Sequence, residues 1–199
     1  MATILHRLAI PSSARRITLP SGAETVVQPN QIIAWVCLSP PGLTRPPPGA
    51  WRFPAVLDTG CGYPFVLHEM HWRNWVGPIT QYLGELPTGR VYGHPALRRR
   101  ASLWIYPNRP DDFAEILPGR DPARLEIEDR IGVTISNVLE EAPTTAADVG
   151  RRQQPTLARP RLPLIGLPAL KLNNLILTVD AGRGHVRLRR ARRLWFLRW

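Results

Sequence analysis

The sequence predicts a mostly β, single-domain protein, and three observations carry that expectation. Its 199 residues include 22 prolines, which suit short strands and irregular loops and oppose long helices. β-Branched and aromatic residues gather in short runs separated by Pro, Gly, Asn and Ser, the punctuation of strands and turns. A hydrophobic share of 44% against 21% charged residues is enough for one packed core, while the length is short for two ordinary domains.

The elements follow in order. The opening MATILHRLAIPSSARR has a short apolar patch but no charged lead followed by a sustained apolar run, so it does not read as a signal peptide; residues 1–23 are expected as an N-terminal extension. From Ile17, ITLPSGAETVVQPNQIIAWVCLSP reads as strands turned at Pro-Ser-Gly and Gln-Pro-Asn. The proline-rich loop PPGLTRPPPGAW leads into a strand over FPAVLDTG, residues 53–60. LHEMHWRNWVGP then suggests a short helix or an irregular turn, with Trp72 and Trp75 as packing residues.

In YLGELPTGRVYGHPALRRRASLWIY two strands flank a glycine-bearing centre, Gly89 to Gly93, which predicts a long hairpin. Residues 107–120 are turn-rich, and RLEIEDRIGVTI alternates like one half-exposed strand. Residues 136–160 are polar and proline-flanked, the composition of a surface insertion. In RLPLIGLPALKLNNLILTVDAGRGHVRLRR an apolar strand runs to Ile165 and Gly166. Pro168 suits the first turn of a short helix through Leu172, and NLILTVD and HVRLRR form a hairpin turned by Ala-Gly-Arg-Gly.

Composition also narrows the chemistry. Cys37 and Cys61 are too few for a disulfide framework, and no cysteine or histidine spacing suits zinc. His68 and His71 in HEMH stand three apart, where a zinc-protease helix needs four; no metal or cofactor is expected. No apolar run reaches the roughly 18 residues of a membrane-spanning helix; the few cysteines and the lack of a signal-peptide pattern make the cytoplasm the expected compartment. The net charge of +11 rests almost wholly on arginine, Lys171 being the single lysine. It invites nucleic acid or anionic lipid, although arginine-rich coding bias produces the same composition. The tail, residues 191–199, interleaves arginines with Leu194, Trp195, Phe196 and Trp199. That pattern suits a peripheral contact with an anionic membrane or a nucleic-acid backbone, and equally a terminal element docked on the core.

The stretch AVLDTGCG carries the sharpest signal. Ala55, Val56 and Leu57 run straight into Asp58, and a carboxylate leaving a buried strand needs a partner or a task. Gly60 lets the backbone pass close to another segment, and Thr59 offers a hydroxyl as a brace. Two carboxylates held face to face share one proton, so that one activates water while the other protonates a peptide carbonyl. The chain has a single Asp-Thr-Gly, so the second carboxylate must come from a second copy paired about a two-fold axis.

The strand into LDTG, the hairpin around TGRVYGHPA and the later LPLIGLPALKLNNLILTVD resemble, in that order, the retroviral-type aspartic proteases, or retropepsins. The resemblance covers roughly residues 24–190, with 136–160 as an insertion. It implies a closed, barrel-like β subunit with one short helix, active as a homodimer that cleaves an extended peptide or protein substrate beneath two flaps. It further implies Asp58 as the catalytic carboxylate, Thr59 as the brace across the dimer and Gly60 as the turn glycine. Gly89, Arg90, Val91, Tyr92 and Gly93 would form the flap, and Ile165 and Gly166 the strand behind the active-site loop. Cys61 departs from the small residue that usually follows Asp-Thr-Gly. Two other readings remain open at this point: a catalytically silent dimeric peptide-binding module of the same type, and a basic nucleic-acid-binding β-protein in which Asp58 only shapes a turn.

Overall fold

In the computed structural model residues 2–19, 21–91, 93–127, 133–135 and 161–191 are described. The strands are β1 (Thr3–Ala9), β2 (Arg15–Thr18), β3 (Glu24–Val27), β4 (Ile33–Ser39), β5 (Phe53–Asp58) and β6 (Phe65–Leu67). Helix α1 (Glu69–Trp75) and a 3₁₀ turn (Gly77–Tyr82) follow, then β7 (Glu85–Val91), β8 (His94–Arg99), β9 (Ser102–Ile105), β10 (Ala123–Glu126) and β11 (Val133–Ile135). The chain continues through β12 (Leu164–Gly166), α2 (Leu167–Leu172), β13 (Leu175–Asp180) and β14 (His185–Arg190). Strands take 44% and helices 12% of the described residues, so the protein is mostly β.

Nine strands form one curled half-barrel sheet in the order β10-β9-β4-β5-β12-β6-β11-β8-β7. Its end strands, β10 and β7, do not pair with each other, so among the described residues the closed barrel expected from the sequence is not formed. Every residue of β4 is buried, the mark of a central strand covered on both faces. Its Trp35 still satisfies its indole by donating Nε1–H to the Phe113 carbonyl at 3.0 Å. Phe53 lies 6.5 Å, centroid to centroid, from both Phe65 and Trp75, which ties β5, β6 and α1 into one apolar core.

Residues 1–23, expected as an extension, instead contribute β1 and β2. β1 pairs antiparallel with β14 in a three-stranded sheet, β1-β14-β13, and Ile4, Leu5, Leu8, Ile17 and Leu19 join the main core. Their apolar side chains are the physical reason: left in water, each would forfeit roughly 1.5–3 kcal/mol of burial. The short helix expected near Pro168 is α2, and LHEMHWRNWVGP, read as a short helix or an irregular turn, forms α1, so there are two where the resemblance implied one. The His68 ring caps it by accepting the Met70 N–H at 3.1 Å on Nδ1, while His71 and Trp75 form its buried face. RLEIEDRIGVTI does not make one strand. Its start is β10, paired with β9, and its end is β11, seated between β6 and β8. No helix among the described residues is long and apolar enough to cross a membrane. The 136–160 insertion and residues 192–199 of the basic tail lie outside the described residues.

Candidate active site

The Asp58 turn takes its shape from a strand that the sequence places far downstream. β5 and β6 are not partners of each other. β12 lies between them, parallel to β5 and antiparallel to β6, with Ile165 opposite Leu57 and Gly166 opposite Asp58. The chain from Thr59 to Pro64 must therefore arch over the end of β12. The arch is fastened at both feet: the Leu167 N–H donates to the Cys61 carbonyl at 3.2 Å, and the Gly166 N–H to the Pro64 carbonyl at 3.1 Å. A Cβ on Gly166 would fall 2.5 Å from the Cys61 carbonyl oxygen and closer still to that of Tyr63. Glycine is required there by lack of space.

Within the arch Asp58 sits at the last position of β5, half-buried. Its Oδ1 accepts the Gly60 N–H at 2.8 Å and its carbonyl accepts the Cys61 N–H at 3.1 Å, an Asx turn nested in a β-turn. Local turn chemistry alone accounts for these two bonds. It does not account for β12 buttressing the turn from beneath. Thr59 and Gly60 are exposed. With Cys61, Gly62, Leu167 and Leu172 they border an open groove of about 600 Å³, whose two leucines are 38% and 42% exposed.

The predicted hairpin meets the turn at Cys61 and Tyr63. β7 and β8 pair antiparallel, Gly89 with Ala96, Arg90 with Pro95 and Val91 with His94, and Gly93 takes a left-handed φ of +84° in the connection. The Arg90 guanidinium donates Nη1–H to the Gly93 carbonyl at 2.7 Å. Gly89 lies under Arg98, whose Nε–H donates to the Pro87 carbonyl at 2.6 Å. Val91 and Ala96 are buried in a small cluster with Cys61, Val66 and Leu164, and Tyr63 packs against it. This cluster joins the hairpin to the turn. Of the flap residues named from the sequence, Tyr92 lies outside the described residues; Gly89, Arg90, Val91 and Gly93 all lie in the hairpin.

The structure thus brings Asp58, Thr59 and Gly60 together with Ile165 and Gly166, and sets Val91 against Cys61. Sequence reasoning missed Tyr63, whose hydroxyl donates to the Arg90 carbonyl at 3.1 Å. Its partner is a backbone atom, which leaves no trace in the residue pattern. His71 is 3% exposed and stacks on Trp75 at 3.7 Å; burial, helped by nearby His68, pushes its pKa down to about 3. Burial likewise pushes the Cys37 thiol up to about 11, so it behaves as a packing residue. Among the described residues no group of three His, Cys, Asp or Glu side chains is placed to hold a metal ion. Comparison with protein-family models, with characterised proteins and with solved structures returned no match to the chain.

Proposed function

We propose that the protein is a retropepsin-like aspartic endopeptidase, active as a homodimer. One observation carries the reading. A half-buried carboxylate stands in an Asp-Thr-Gly turn that is buttressed by the Leu-Ile-Gly strand β12 and joined through Cys61 and Tyr63 to a glycine-bearing hairpin. A turn-forming aspartate alone needs neither the strand nor the hairpin.

In the dimer, Asp58 of each copy faces the other across a two-fold axis, and the pair holds one proton. The ionised carboxylate takes a proton from water as the water oxygen bonds to the scissile carbonyl carbon. The protonated one gives its proton to the carbonyl oxygen, which leaves a tetrahedral diol. Proton return to the amide nitrogen then lets the C–N bond break, releasing one carboxyl and one amine terminus. Thr59 reaches across the axis, where its hydroxyl braces the opposite turn. Leu167 and Leu172, exposed beside Thr59, supply apolar area that a second copy buries. Each hairpin closes over an extended peptide whose apolar side chains flank the cleaved bond. Because the pair works with one shared proton, cleavage peaks in the mildly acidic range and falls as both carboxylates ionise.

The test is digestion of a mixed peptide library from pH 4 to 8 by the protein and by Asp58→Asn, with and without a statine-type transition-state inhibitor. The expected result is cleavage that the inhibitor suppresses and the variant lacks, a loss of at least about a thousandfold. Equal inertness of two folded, dimeric proteins contradicts the reading and favours a silent peptide-binding module.

A further inference from the structure

We infer that Tyr63 is a positioning residue that latches the β7–β8 hairpin down onto the Asp58 turn. The inference rests on the protease reading for its consequence in catalysis, but the latch itself is a property of the fold. Among the described residues the hairpin is an edge of the main sheet: β8 pairs with β11 on one side, and no described strand lies beyond β7. An edge ribbon of this kind opens at low cost unless something fastens its end. Two contacts near the end do so. Val91 is fully buried against the Cys61, Val66 and Leu164 cluster, and the Tyr63 hydroxyl donates to the Arg90 carbonyl at 3.1 Å.

Both contacts begin in the same short turn. Cys61 follows Gly60 directly, and Tyr63 lies two residues further on, with its carbonyl over Gly166. The Cys61 sulfur is held within the turn, 3.6 Å from the Tyr63 carbonyl oxygen. The position of the hairpin is therefore coupled to the position of the turn that holds Asp58. A peptide entering between hairpin and turn must lift the Arg90 strand and break the tyrosine bond. Tyr63 acts on substrate through the hairpin. It has no part in the proton transfers.

The experiment is hydrogen exchange of the intact protein and of Tyr63→Phe, which keeps the ring in the apolar cluster and removes only the hydroxyl. Exchange of amides in residues 85–99 should accelerate by about twofold to tenfold, the loss of one net hydrogen bond, while amides of β12 and β5 stay as they were. Val91→Ala, which trims the apolar half of the fastening, should speed the same amides and serves as the second variant if Tyr63→Phe does not fold. Unchanged exchange over 85–99 in either folded variant overturns the latch. On a cleaved peptide, Tyr63→Phe, with no bond left to break on binding, should lower KM severalfold with kcat nearly constant, and an unchanged KM overturns the positioning role. A wild-type protein that cleaves nothing refutes the protease reading instead, and the exchange measurement then decides the latch alone.

Discussion

At Gly166 the backbone of β12 passes beneath the Cys61 and Tyr63 carbonyls with no room for a side chain. The obstacle is backbone on both counts, so rotamer changes offer no relief. Gly166→Ala should therefore destabilise the fold by about 3 kcal/mol or more, measured by urea unfolding. An effect below about 1 kcal/mol would show that the arch relaxes, and with it that the turn is not set by β12. The Asp58 turn was legible in the sequence because a carboxylate ending an apolar strand just ahead of a glycine is a turn signal; Gly166 was placed on the strand behind it by the family resemblance, and the close backbone approach that demands glycine there is seen only in the fold. Tyr63 was not legible. One tyrosine in a loop has no period, and its bond goes to a carbonyl that any residue at position 90 would supply.

Among the elements, α1 places a neutral histidine in the core. His71 is held at a pKa of about 3 by burial, with His68 adding to the depression, whereas an unfolded chain titrates it near 6.5. Between those values the unfolded state binds a proton that the folded state refuses. Folding stability must then fall as pH falls through this window, by on the order of 1.4 kcal/mol per pH unit, and the contribution is constant above it. His71→Phe, which keeps a ring against Trp75, should flatten the decline of Tm between pH 6.5 and 4; parallel curves for the two proteins would rule this out. The helix itself, like β5, the hairpin and α2, follows from local pattern. The placement of β11 between β6 and β8, and of β1 against β14, does not. Such pairings join segments distant in the chain, and short alternating runs specify a strand without specifying its neighbour.

For the whole molecule, the central matter is the second carboxylate. Each chain has one Asp-Thr-Gly, so the chemistry proposed for it exists only in a pair of chains. In the proposed dimer, the apolar side chains beside the turn are where the pair meets. Leu172, 42% exposed at the end of α2, should raise the dimer dissociation constant by about eightfold to seventyfold when replaced by arginine, since the exposed part of the side chain is left unburied on both copies, about 1.3–2.5 kcal/mol together. Sedimentation at graded concentrations reads this directly, and an unchanged constant would place the interface elsewhere. The same variant should lose peptidase activity at low concentration and recover it at high concentration.

Subunit mixing tests the shared dyad most directly. Wild-type and Asp58→Asn chains are unfolded together, refolded at a series of ratios, and assayed at constant total protein. An asparagine amide neither takes a proton from water nor gives one up, so a mixed pair is inert. Activity then follows the square of the wild-type fraction, about one quarter at an equal mixture. With the chains mixed at random, activity of about one half, from chains that act independently, or about three quarters, from mixed pairs that are fully active, would contradict catalysis by paired carboxylates.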